Sequence, residues 1–131
     1  MKKVFLGGTC NDSKWRDELI PLLKIDYYQP CREGGWTQEM ADEELRQRKI
    51  CDFCLYVITP KMTGVYSVAE VVDDSNKEPG KTMFCFLKED DEHCFSSHQV
   101  KALEQVAKMV QKNGAKYFQS LNEVAAYLNT Q

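Results

Sequence analysis

The feature that most constrains the fold is an alternation of short apolar runs with longer stretches of helical periodicity. The strongest run, DFCLYVIT at 52–59, is apolar almost throughout, which is typical of a strand buried on both faces. Four shorter runs, each separated from the next by a helical pattern, are KVFLGG, IDYYQP, TMFCFL and KYFQ. Five strands alternating with five helices predict a parallel sheet covered on both faces. We therefore expect an α/β fold with an open, doubly wound, flavodoxin- or Rossmann-like sheet in the order 2-1-3-4-5.

Local signals predict where the first two helices begin and end. Asn11, Asp12 or Ser13 is expected to cap the first helix, because short polar side chains accept the free N–H groups there. Pro21 lies inside the pattern of that helix and should kink or shorten it. Thr37 precedes a charged helical stretch and is expected to cap it.

The stretch TGVYSVAEVVDDSNK, at 63–77, predicts a helix directly after the strongest strand. Val65, Val68 and Val72 recur at helical spacing and are expected to face the core. Tyr66 and Glu70, four residues apart, share a different face of the same helix. The polar stretch KEDDEHCFS, after the fourth strand, is expected to be a loop.

Length and composition limit the classes of protein to consider. The 131 residues predict a single domain spanning 1–131, and 43% hydrophobic with 28% charged residues is ordinary for a globular chain. The net charge of −3, with no basic block, gives no electrostatic reason to expect a nucleic-acid partner. No apolar run approaches the roughly 18 residues that span a membrane, and the run in MKKVFLGG is too short for a signal peptide. We therefore expect a cytoplasmic protein without a membrane partner.

The six cysteines allow two interpretations. Cys51 and Cys54 have the spacing of a redox or zinc motif, but no second pair accompanies them. In an extended strand, residues three apart point to opposite faces, so the two thiols should diverge. We expect Cys51, Cys54 and Cys85 to be reduced, buried packing residues with no metal, and all thiols to be reduced. HCFSSH, at 93–98, could offer metal ligands, although a solvated loop also explains it.

The expected topology places a binding site at the carboxyl ends of the strands, where the strand order reverses. Two loops must meet there, GGTCND after the first strand and the start of TPKMTGVYSVAE after the third. Gly7 and Gly8 would let the backbone approach a ligand closely, although a plain tight turn explains them equally well. A ligand is expected to touch Gly7, Gly8 or Thr9 and the segment from Gly64 through Ser67 to Glu70.

The charged helix TQEMADEELRQRK offers a second carboxylate. Trp36, Met40 and Glu44 are spaced at i, i+4 and i+8, so Glu44 is carried toward the sheet if the two apolar side chains pack inward. The alternative is a solvated acidic face. Burial would raise the pKa of such a carboxylate and suit it to proton transfer. Trp15 and Trp36 could stack on a planar ligand, or else belong to the core or its rim.

Over roughly its first two-thirds the chain resembles the nucleoside 2-deoxyribosyltransferase superfamily. The similar features are VFLGGT at the end of the first strand, CDFCLYVIT at the third, and the loop and helix of TGVYSVAE. The resemblance places the nucleophilic glutamate of that family on Glu70 and its acidic helix residue on Glu44, where the family usually has Asp. The chain departs from the family at Gly64, where an Asp is common, and at VVDD, where the family has a Gly and an Ala.

The resemblance implies an enzyme that cleaves or transfers at the N-glycosidic bond of a nucleoside or nucleotide. Glu70 would form a covalent ester with the sugar and stay ionised near a helix N-terminus. Tyr66 would orient Glu70, and Glu44 would hold a sugar hydroxyl or help to protonate the departing base. The family uses no cofactor and commonly forms homo-oligomers. A catalytically inactive nucleotide-binding or sensing module of the same fold is the alternative.

Overall fold

The computed structural model describes residues 1–30 and 37–131. Its main sheet contains β1 (Lys3–Gly8), β2 (Asp26–Tyr28), β3 (Phe53–Ile58), β4 (Thr82–Phe86) and β7 (Lys116–Phe118), all parallel. The strand order is β2-β1-β3-β4-β7, which is the predicted order of the five strands. Strand order reverses at β1 and β3, so the carboxyl ends of these two strands form the switch point.

The α-helices of the described ranges are α1 (Trp15–Leu19), α2 (Gln38–Ile50), α3 (Tyr66–Lys77), α4 (Ser97–Lys112) and α5 (Leu121–Leu128); the first four lie between strands of the main sheet and α5 follows β7. Short 3-10 helices at Ile20–Leu22 and Pro79–Lys81 follow α1 and α3. Pro21 lies in the first of these, so it shortens the α-helix as predicted. None of the helices in the described ranges is long and apolar enough to span a membrane.

The sheet has a buried core on each face. All six residues of β3 are buried, which confirms the prediction of a strand covered on both sides. One core packs Leu6, Leu55 and Val57 against α1 and α5. The other packs Tyr56 and Ile58, among others, against α3 and α4. The covered parallel sheet is therefore the architecture that the alternation of strands and helices predicts.

Three local predictions were wrong. Helix α1 has Lys14 at its N-cap with no side-chain hydrogen bond, because the candidate caps are engaged elsewhere. Val65 is 72% exposed, since α3 begins one residue later and Val71 takes the buried position. The stretch after β4 is not simply a loop: β5 (Glu89–Asp90) and β6 (His93–Cys94) pair as a short antiparallel hairpin.

The cysteines follow the sequence prediction only in part. Cys51, Cys54 and Cys85 are buried free thiols, and burial raises the pKa of Cys54 and of Cys85 to about 12. Cys51 and Cys54 do not diverge to opposite faces: both belong to the same core, because β3 begins only at Phe53. Cys10 is disulfide-bonded, so the expectation that every thiol is reduced was wrong.

Candidate active site

The loop after β1 is held tightly against β3. Gly8 has φ of +116°, and a Cβ there would lie 2.0 Å from the carbonyl oxygen of Val57, so only glycine fits. The Thr9 amide donates to the same carbonyl at 2.9 Å. The Thr9 hydroxyl accepts from the Thr59 amide at 3.0 Å. These contacts fix where the backbone of the first site loop leaves the sheet.

A buried arginine supports this loop from below. The Arg16 guanidinium donates to the carbonyl oxygens of Leu6 at 2.9 Å and Thr9 at 2.7 Å, and lies over the Trp15 ring at 4.3 Å. Burial lowers the pKa of Arg16 to about 10, against an opposing effect of the Glu44 charge. Sequence reasoning did not identify Arg16 because an arginine that bonds to backbone carbonyl oxygens has no local signature.

The two site loops are bonded to each other. The Asn11 side-chain amide donates to the Thr63 hydroxyl at 2.7 Å and to the Lys61 carbonyl at 3.2 Å. Asn11 therefore bridges the loops after β1 and β3 instead of capping α1. This juxtaposition is the one that the switch-point argument requires.

Glu70 lies on α3, one turn beyond Tyr66, with its side chain 19% exposed. Its nearest cation is Arg48 of α2, whose Nη1 lies 3.4 Å from Glu70 Oε2. Arg48 is itself held by Asp74, to which Nε and Nη2 donate at 3.1 and 2.6 Å. The Tyr56 hydroxyl donates to the same carboxylate at 2.5 Å. A series of polar contacts thus links β3, α3 and α2. It runs from Tyr56 through Asp74 and Arg48 to Glu70.

The pKa of Glu70 is raised from its ordinary value of 4.5 to about 7. Burial is the main cause; Arg48 opposes it, and the charges of Asp74 and Glu44 add to it. The expectation that a helix dipole keeps Glu70 ionised was therefore wrong in direction. Glu70 occupies the fifth position of α3, and the dipole acts mainly within the first turn.

Two adjoining clefts lie over these residues. The large cleft, of about 370 Å³, lies between α2 and α3 and is lined by Gly7, Gly8, Glu44, Leu45, Arg48, Tyr66, Ser67 and Glu70, among others. The small cleft, of about 190 Å³, lies between the two loops and is lined by Gly8, Thr9, Asn11, Met62, Thr63, Gly64, Tyr66 and Ser67, among others. Gly8, Cys10, Tyr66 and Ser67 line both clefts, so the two are contiguous.

The structure brings together eight of the ten site residues that the sequence suggested: Gly7, Gly8, Thr9, Glu44, Gly64, Tyr66, Ser67 and Glu70. Trp15 is 2% exposed, belongs to the core under α1 and donates its indole N–H to the Thr9 carbonyl, so it has no face on which to stack a ligand. Trp36 lies outside the described residues. Arg48 was missed, although its i+4 spacing from Glu44 on α2 was a usable signal.

The fold and the clefts define an α/β protein with a partly buried carboxylate at the switch point of a doubly wound sheet. A family model described as nucleoside 2-deoxyribosyltransferase like matches residues 1–89, and the chain therefore belongs to this family. No curated protein matches the chain. The matched range contains every described residue that lines the two clefts.

Proposed function

We propose that the protein cleaves or transfers at the N-glycosidic bond of a (deoxy)nucleoside or nucleotide through a covalent intermediate on Glu70. The observation that carries this proposal is the position of the Glu70 carboxylate in the wall of the large cleft, facing Arg48. Membership of the nucleoside 2-deoxyribosyltransferase-like family supports a nucleoside as the ligand. A carboxylate in this position can trap the positive charge that develops on the anomeric carbon.

In the proposed first step, a carboxylate oxygen of Glu70 forms a bond to the anomeric carbon while the bond from that carbon to the base nitrogen breaks. The bonding electron pair leaves with the base, which takes up a proton. In the second step, water or a second base attacks the same carbon and releases the Glu70 carboxylate. Water gives a hydrolase and a second base gives a transferase.

Glu44 and Tyr66 flank the proposed nucleophile. Glu44 lines the large cleft and is close enough for its charge to raise the pKa of Glu70. We assign it to holding a sugar hydroxyl or protonating the departing base. Tyr66 is 71% exposed and lines both clefts, where its hydroxyl is available to orient the Glu70 carboxylate or the ligand.

The two loops are proposed to bind the rest of the substrate. Gly7 and Gly8 present backbone close to the large cleft, and Gly64 and Ser67 lie where the small cleft meets the start of α3. Helix α3 has no side-chain cap, and its first two residues, Tyr66 and Ser67, line both clefts, so we expect their backbone N–H groups to bind the substrate. Thr9 supports the loop after β1 because its amide donates to the Val57 carbonyl of β3 and its hydroxyl accepts from the Thr59 amide, just after β3.

A second candidate is a binding or sensing module that has lost catalysis. The observation that favours it is Gly64, which stands where the family commonly has Asp and which opens onto empty space. Without the carboxylate of that Asp, the site would make fewer polar contacts to the substrate. Such a module would bind a nucleoside or nucleotide without releasing free base.

We further propose a homo-oligomer and a cytoplasmic location. Leu45, Val65 and Tyr66 are large apolar side chains exposed near the mouth of the large cleft, where a second copy of the chain would cover them. Light scattering coupled to gel filtration measures the molar mass of the assembly against the 15.1 kDa chain.

The decisive experiment is incubation of the protein with a panel of deoxynucleosides, ribonucleosides and their 5′-phosphates. Chromatography is expected to show released free base, or base exchange when a second base is added. A slow-reacting 2-fluoro sugar analogue should add mass to the intact protein, and peptide mapping should place the adduct on Glu70. Ligand binding without any free base or adduct would instead favour the binding module.

A further inference from the structure

Lys61 joins three segments at the rim of the small cleft. Its ammonium group forms an ion pair with Asp91, lies 3.8 Å from a carboxylate oxygen of Asp90, and donates to the Asp12 carbonyl at 3.3 Å. Asp12 follows β1, Lys61 follows β3, and the two aspartates belong to the hairpin that follows β4. One side chain therefore connects all three loops at this edge of the sheet.

Further hydrogen bonds reinforce the same junction. The Ser13 hydroxyl donates to Asp90, which ties the loop after β1 to the hairpin. The Asn11 amide donates to the Lys61 carbonyl and to the Thr63 hydroxyl. Because Asn11 and Thr63 line the small cleft, the bonds made by Lys61 are continuous with the cleft wall.

The backbone at this junction is unusual. Asp12 has φ of 61° and Asp91 has φ of 54°, and these are the non-glycine residues with positive φ in the described ranges. A left-handed conformation is tolerated by Asp but is uncommon, and it persists where surrounding contacts hold it. Both residues contact the Lys61 ammonium group, so the lysine holds the two tight turns.

An exposed ion pair would have little effect, and this is the alternative to consider. The Lys61 side chain is only 13% exposed, whereas Lys77, which pairs with Asp73 on α3, is 71% exposed. The Asp90 side chain is 10% exposed, whereas that of Asp91 is 56% exposed. The side of the junction formed by Lys61 and Asp90 is therefore shielded from water to an extent that a surface ion pair is not, while the Asp91 side is open to solvent.

We propose that Lys61 is a positioning residue which, by tying the hairpin to both site loops, fixes the walls of the small cleft and sets substrate affinity more than turnover. The effect on substrate affinity rests on the proposed function. Lys61 does not line either cleft, so it acts through Asn11, Asp12 and Thr63.

The test compares Lys61→Met with Lys61→Arg, which keeps the charge, and with Lys101→Met, which removes an exposed lysine from α4. Hydrogen exchange of the ligand-free proteins is measured first. Lys61→Met is expected to speed exchange of the amides at 10–13 and 61–64, while the other two variants resemble the parent protein. KM for the nucleoside identified by base release is then expected to rise on the order of tenfold in Lys61→Met, with a much smaller change in kcat.

The two measurements separate failure of this inference from failure of the proposed function. Unchanged exchange at both loops in Lys61→Met would overturn the inference, whatever the kinetics show. A loss of kcat at unchanged KM would also overturn it, because a loosened binding wall predicts the reverse. If the parent protein releases no base from any nucleoside, the proposed function fails, and the exchange data still decide whether Lys61 holds the loops.

Discussion

Residues 1–89 and residues 90–131 contribute to the same sheet but are built differently. Every buried polar or charged side chain in the described ranges lies in the first region: Thr9, Arg16, Gln47, Thr59, Asp74, Ser75 and Thr82. The second region buries apolar side chains only, such as Leu103, Val110 and Leu128. Buried polar groups are costly unless they are hydrogen-bonded, so their concentration in one region indicates that this region carries more than packing.

The helix starts differ at the switch point and not between the two regions as a whole, since α2 of the first region is capped by Thr37. Helix α4 begins with a capping box formed by Ser96 and Gln99, and α5 begins with Ser120 as its cap. Helices α1 and α3, which follow the two strands at the switch point, begin without a side-chain cap. A capped start satisfies its own N–H groups, whereas an uncapped start beside a cleft leaves them for a ligand.

The volume of a cleft does not indicate which region carries the candidate site. A cleft of about 650 Å³ lies over the carboxyl ends of β4 and β7, and is lined by Lys88, Glu104 and Lys108, among others. These charged side chains are exposed. The large cleft over β1 and β3 has a smaller volume, about 370 Å³, but contains a carboxylate whose pKa is raised to about 7. The chemistry of the lining therefore identifies the candidate site better than its volume does.

The largest expected effect is on turnover. Glu70→Gln keeps the shape of the side chain but removes the charge that would trap the anomeric carbon, so turnover should fall by at least ~10²-fold. Substrate binding should change much less, because the lost interaction belongs mainly to the transition state. Base release measures turnover, and calorimetric titration measures binding. Glu104→Gln, in the second region, is the control, and an equal loss of turnover there would remove the contrast between the regions.

The sequence predicts the helices of the second region better than those near the site, for a physical reason, although it missed the hairpin of β5 and β6. In α4 and α5 the cap and the amphipathic pattern agree, so local signals suffice to place them. Near the site, Asn11 and Ser13 bond to distant residues instead of capping α1, and Val65 turns to solvent. Glu70 and Glu44 were found from periodicity and family resemblance. The bond from Arg48 to Asp74 spans 26 residues, which a local pattern does not encode. Arg16 bonds to carbonyl oxygens 7 and 10 residues away, but these bonds depend on how the loop after β1 folds back.

The next effect is on stability. Arg48→Met leaves Asp74 buried beside Tyr56 without its cation, so the free energy of unfolding should fall by about 3–4 kcal/mol. Arg48→Lys should recover part of this loss, because it restores the charge but not the two parallel bonds. Urea denaturation measures both. Lys77→Met is the matched control, since it breaks an exposed pair on α3 that should contribute well under 1 kcal/mol.

A smaller effect should appear in the pH dependence of stability. The folded-state pKa of Glu70 is about 7, above its ordinary value of 4.5, so the folded state binds the proton more tightly between these values. The resulting stabilisation is fully present below pH 4.5 and is lost as pH rises through 7. Glu70→Gln lacks this loss, so from pH 4.5 to 8 its stability should gain about 3 kcal/mol relative to the parent protein. Equal pH profiles for the two proteins would show that Glu70 is not desolvated.

The smallest effect is expected for Gly64→Asp. This substitution tests whether the first region retains a complete site. A Cβ at Gly64 meets no atom within 4 Å, so Gly64→Asp should change the free energy of unfolding by no more than ~0.5 kcal/mol. The new carboxylate would enter the small cleft at the position where the family commonly has Asp. One added hydrogen bond to the nucleoside should strengthen its binding by about threefold.

The matched control is Gly80→Asp, since Gly80 is equally open but precedes β4 at the opposite edge of the sheet. Titration calorimetry compares the two variants with the parent protein, and base release is followed in parallel. If Gly64→Asp raises turnover by far more than binding, the parent chain lacks a catalytic group, because a transition-state contact raises kcat while a uniform binding contact does not. If both variants bind and react as the parent does, the missing Asp has no role in this protein. In that case the site of residues 1–89 is complete without it.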